Sequence, residues 1–125
     1  DGKLSRGLGD VYKRQGIAVS SGNSFVHETE SQVILNGSYN INFTMDLVLK
    51  DTGLFDDLAK KLNASLEISP KIVEIFKDGQ KRYGSRAWSS MIVKRMEDLN
   101  KIDFRADGFP EELVDNELEE KGYEI

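Results

Sequence analysis

The sequence predicts an all-α domain of four or five helices joined by short loops. Two observations carry this. Apolar residues recur three and four positions apart in several separate runs, and those runs are divided by turn-forming residues. In addition, no stretch alternates apolar and polar residues for long enough to make a sustained strand. The one alternative is a small hairpin, with Val33-Ile34-Leu35 and Tyr39-Asn40-Ile41 flanking Asn36-Gly37.

Residues 25–35 place Phe25, Val33 and Ile34 among polar neighbours, and predict a helix capped by Asn23 or Ser24. Asn36-Gly37-Ser38 ends it. Residues 41–62 form the central helix, with Asn40 or Asn42 as cap and Asn63 as a left-handed stop. Gly53 weakens that helix by about 1 kcal/mol relative to alanine; it is read as drift rather than as a close backbone approach. Ser69-Pro70 predicts the next start, with Ser69 as cap and Pro70 at the first helical position. That helix carries Ile72, Val73, Phe76 and Tyr83. The last core helix spans about 87–99, with Trp88, Met91, Ile92, Met96 and Leu99 read as core. Behind Pro110, Glu111–Glu120 reads as a short acidic helix.

The central helix holds one anomaly. Phe43, Leu47, Leu54, Leu58 and Leu62 share a face, and Lys50 falls on it, only about 20° from Phe43 at about 100° per residue. Lysine on an apolar stripe either snorkels to solvent along its methylenes or meets a partner or a wet cavity. Spacing alone leaves both readings open.

Composition narrows the function. There are no cysteines in the 125 residues, hence no disulfide frame, thiolate metal site or cysteine nucleophile, which fits a reducing cytoplasm. No run approaches the length of a membrane span. Residues 16–106 carry 12 basic and 12 acidic residues, whereas 107–125 carry one lysine and eight acids. The net negative charge is thus a property of an acidic tail, and a nucleic-acid partner, which wants a basic stripe, is not expected. His27, the sole histidine, has no companion at metal-ligand spacing.

Residues 1–15 end in Asp10-Val11-Tyr12-Lys13-Arg14-Gln15, which resembles the peptide encoded by a sequencing-library adaptor. The segment is therefore expected to be non-native and to pack against nothing, which makes the remainder a fragment. The expected organisation is 1–15 as this segment, 16–106 as the helical domain and 107–125 as the acidic tail.

The string Phe43-x-x-x-Leu47-x-x-Lys50-Asp51, followed by an amphipathic run to Leu62, resembles the C-terminal helical domain of the β-hydroxyacid dehydrogenases. That family includes 3-hydroxyisobutyrate dehydrogenase and tartronate semialdehyde reductase and is related to 6-phosphogluconate dehydrogenase. The similarity covers roughly residues 16–100. Ile68-Ser69-Pro70 stands at the family's loop before the next helix. Gly84 to Met91 is similar to its closing glycine-then-serine stretch, with Arg86, Ala87 and Trp88 replacing the usual acids.

The resemblance implies an NAD(P)-dependent oxidoreductase moving a hydride between cofactor and a short 3-hydroxy acid or semialdehyde. It implies Lys50 as a cofactor contact, with Phe43 and Asp51 bordering the substrate. It implies as partners the small substrate, the enzyme's own N-terminal Rossmann domain and further copies of the chain. Neither the family's Gly-rich dinucleotide turn nor its G-x-x-G-x-G-x-x-x-K motif, which bears the catalytic lysine, occurs between Gly16 and Ile125, so no catalytic residue is expected here. The competing reading is a non-enzymatic helical interaction module.

Overall fold

The computed structural model describes residues 2–113 and 122. Helices α1 (Gly2–Ala18), α2 (Phe25–Asn36), α3 (Met45–Lys61) and α4 (Ser69–Tyr83) are followed by a 3-10 turn (Ser89–Val93) that runs into α5 (Lys94–Asn100). The described residues contain no strand and only one isolated bridge, between Thr44 and Trp88. The all-α expectation holds. The hairpin does not form, because Val33 and Leu35 lie inside α2. The acidic helix expected at 111–120 lies largely outside the described residues.

Local chemistry sets most boundaries where breakers stand. Ser24 caps α2, its Oγ accepting the His27 amide at 2.9 Å. Gly37 ends it at φ +91°, and its amide donates to Val33 and Ile34. Asn63 adopts the left-handed conformation beyond α3. Two cap expectations are corrected. Thr44, not Asn40 or Asn42, precedes α3, and the Asp46 carboxylate takes over the capping by accepting the Thr44 hydroxyl and, at 3.0 Å, the Leu47 amide. Ser69 is the first helical residue of α4 rather than its cap; its Oγ donates to Asp56 on α3 at 2.5 Å and so fastens the two helices.

The principal packing is α3 on α4, with the 3-10 turn packing against α4 and α2. Here the expected core face is overturned. Met45 and Ala59 are the buried residues of α3, whereas Leu54, Leu58 and Leu62 are 63%, 54% and 69% exposed. The inward face is Met45, Val48, Thr52, Asp56 and Ala59. It is narrow because α4 meets it through Gly79: a Cβ there would fall 2.7 Å from Ile92 Cδ1 and 3.1 Å from Met45 Sδ. Small residues allow this close approach, and the leucines are left on the outer side. Gly53, by contrast, has nothing near its would-be Cβ.

The stretch expected as one helix at 87–99 is a 3-10 turn and a two-turn α5. Met96 and Leu99 are exposed rather than core, and Glu97 is buried in their place.

The expectation that residues 1–15 touch nothing fails at Arg14. Its guanidinium donates to Ser31 Oγ at 2.7 Å and to the Glu28 carbonyl at 3.1 Å, and lies 5.5 Å from the Phe109 ring centroid. The Arg14 carbonyl lies 3.1 Å from His27 Nε2. Helix α1 thus docks on α2 through polar contacts.

Candidate functional site

The loop from Ser38 to Thr44 carries Phe43 to the start of α3, and backbone pairing fixes it there. Ser89 donates its amide to the Phe43 carbonyl at 2.7 Å, and Met45 donates to the Ala87 carbonyl at 2.9 Å. Phe43 thereby becomes one wall of a cleft of about 470 Å³ between α2, the α3 start, α4 and the 3-10 turn. Val26, Ile34, Val48, Phe76, Ile92 and Val93 supply the rest of its apolar lining.

Four polar residues interrupt this apolar surface: His27, Glu30, Ser31 and Ser89. Burial among apolar neighbours pushes the Glu30 carboxyl above the usual carboxylate range, because the charged form loses hydration there. Glu30 was not singled out from the sequence. Its signal was present: it stands four residues from both Val26 and Ile34, hence on the same face of α2.

Lys50 and Asp51 do not line the cleft. They lie on the outer surface of α3, with side chains 61% and 56% exposed and Nζ 3.3 Å from the Asp51 carboxylate. The structure therefore brings Phe43 into a pocket and leaves Lys50 and Asp51 together on the face that carries Leu54 and Leu58. Beside Phe43, at the α3 N-terminus, Asp46 is held below the usual carboxylate range, first by the Thr44 hydroxyl and then by Arg86 at 3.2 Å. Arg86 stands where the resemblance expects an acid, and neutralises Asp46 instead.

The fold is a small all-helical domain that carries an apolar cleft walled on one side by Phe43. Residues 10–96 match the family described as the NAD-binding domain of NADP-dependent 3-hydroxyisobutyrate dehydrogenase, and the chain belongs to that family. The cofactor class is accordingly NAD(P), and the chain is part of the dehydrogenase-like oxidoreductases. No curated protein and no solved structure matches it. No helix among the described residues is long and apolar enough to cross a membrane.

Lys50 itself stands on the outer face of α3, away from the cleft. Its ammonium is exposed, its stem is long, and Asp51 is its one ion-pair partner among the described residues.

Proposed function

We propose that this chain is the C-terminal helical part of an NAD(P)-dependent oxidoreductase that acts on a short 3-hydroxy acid or its semialdehyde. The observation that carries the reading is the outward face of α3. An exposed lysine, tethered by its neighbouring aspartate, stands on the same helix surface as three exposed leucines. An isolated domain gains nothing from that arrangement, whereas a domain completed by another body buries the leucines and aims the lysine into the resulting cleft.

In this reading Lys50 places a positive charge beside the cofactor, and Asp51 restrains its stem. Phe43 walls the substrate side and excludes water. The bound cofactor supplies the hydride-transfer chemistry. The body that completes the site is the enzyme's own nucleotide-binding domain, and further copies of the chain complete the assembly. The cytoplasm is its place. The chain by itself is expected to show no turnover of NAD(P)H with any small semialdehyde.

The test is Lys50→Ala in the intact enzyme, reading kcat/KM and the urea midpoint on the same protein. A contact to the cofactor predicts a loss of about 1–3 kcal/mol in transition-state terms, the scale of a charge-assisted hydrogen bond, at unchanged midpoint. Normal kinetics with a lowered midpoint would mean that Lys50 only packs its methylenes on the surface, as in the interaction-module reading.

A further inference from the structure

Beyond α5 the chain turns back across the molecule, and its contacts converge on one place. Arg105 donates to Glu97 Oε1 at 2.7 Å, to the Tyr39 hydroxyl at 2.8 Å and to the Ile34 carbonyl at 3.3 Å. Glu97, only 1% exposed, also accepts the Tyr39 hydroxyl and, at 2.8 Å, the Phe104 amide. Ala106 donates its amide to Leu35 at 3.0 Å, Asn36 Nδ2 donates to the Phe109 carbonyl at 3.0 Å, and Ser38 Oγ to the Glu111 carbonyl at 2.6 Å. Gly37 is shaped to this crossing: a Cβ on it would fall 2.5 Å from Arg105 Nε.

These contacts lead straight to the site wall. Tyr39 is buried at the beginning of the loop that ends in Phe43, and its carbonyl accepts Ser90 Oγ at 2.7 Å. The next residue back, Ser89, holds the Phe43 carbonyl. The Ser90 hydroxyl and the Ser89 backbone amide therefore grip the loop at its two ends, on a short path from Arg105 to Phe43. The returning segment lies beyond residues 10–96, the part shared with the family.

We propose that residues 102–111 are a clasp that sets the position of Phe43 from outside the shared domain, with Glu97, Arg105 and Tyr39 as positioning residues. The functional meaning rests on Phe43 being a site wall; the clasp itself does not. A carboxylate buried to this degree tolerates its place only while fully partnered. Arg105 supplies a rigid planar fork whose two terminal nitrogens reach Glu97, the Ile34 carbonyl and the Tyr39 hydroxyl, a fixed spread that the single ammonium nitrogen of lysine does not reproduce. Removing the fork frees the loop at Tyr39 before it loosens the α3/α4 pair, because that pair shares no bond with the clasp.

The experiment is amide hydrogen exchange on the 125-residue chain and on Arg105→Ala. Exchange at Ala106, Tyr39 and Ser89 should accelerate roughly tenfold or more beyond the mid-helix amides of α3 and α4, which follow only the global loss of stability. Tyr39→Phe, which removes one hydroxyl and leaves the ring, provides the same readout should Arg105→Ala not fold. It should accelerate Ser89 while sparing α3 and α4. Uniform acceleration everywhere would reduce the clasp to general stabilisation and overturn the proposal. Acceleration confined to Ala106 would overturn it too, since no coupling to Phe43 would exist. Activity is not read, so failure of the enzymatic reading leaves this result standing.

Discussion

Glu97 and Arg105 form an ion pair in which one partner is almost wholly enclosed and the other reaches the surface. The carboxylate is 1% exposed and accepts the guanidinium at 2.7 Å, whereas the arginine side chain is 38% exposed. Such a pair stabilises little relative to an apolar substitute, yet breaking it is severe because one charge is left buried alone. Arg105→Ala is therefore expected to lower unfolding free energy by about 3–5 kcal/mol. The double variant Glu97→Leu with Arg105→Leu should recover part of that loss. Urea titration of the three proteins decides it; a single variant no weaker than the double one would show the pair to be dispensable.

A second expectation contrasts the two sides of α3. Met45 is fully buried and Leu58 is 54% exposed. Met45→Ala should cost about 2–5 kcal/mol, the range for a truncated core side chain. Leu58→Ala should shift stability by no more than about 0.5 kcal/mol, as at other surface positions. Equal losses in the urea midpoint would mean that the leucine face is covered within the chain.

The third concerns Gly37. Alanine there must adopt φ +91° and meet Arg105 as well. Either effect alone is unfavourable, so Gly37→Ala should destabilise by about 1–3 kcal/mol. Gly53→Ala, in open space within α3, should stabilise by up to about 1 kcal/mol through helix propensity. Melting temperatures of the two variants should move in opposite directions.

The fourth is a response to pH at both ends of the scale. Burial, then the bond to Glu97, raises the Tyr39 hydroxyl to about 12, and Tyr83 rises to about 12 through burial and Asp98. Their unfolded values are the ordinary 10.0. The unfolded chain thus loses these protons first, so stability present below pH 10 falls as pH rises towards 12. Tyr39→Phe should flatten that decline. At the acid end Asp78 is held below its ordinary 3.8, chiefly by the bond from Arg95 and then by that from Arg82. The unfolded carboxylate takes its proton first, so the stability it adds above that value is lost as pH drops through the folded value. A series of urea midpoints with and without Arg95→Gln checks the sign.

Helix existence and the breaks between helices were readable because they depend on local chemistry. Ser24, Gly37, Asn63 and the Ser69-Pro70 step act through their own backbone conformations and nearest neighbours, whatever the rest of the chain does. The Phe43…Lys50-Asp51 string, with Ile68-Ser69-Pro70 and Gly84 to Met91, likewise pointed to the family whose model matches residues 10–96. Which side of α3 faces inward was not readable. Periodicity finds the most apolar face, but packing selects the face that lets two backbones approach, and here that is Met45 and Ala59 against Gly79. The same limit hid Glu97 and Arg105. A pattern assigns charged residues to solvent, whereas Glu97 is enclosed only because Tyr39, 58 positions earlier, and Arg105 arrive to satisfy it. Local propensity and turn chemistry are properties of short stretches and so are written in them. Burial of a charge is a property of partners distant in the chain, and only the assembled tertiary structure brings those together.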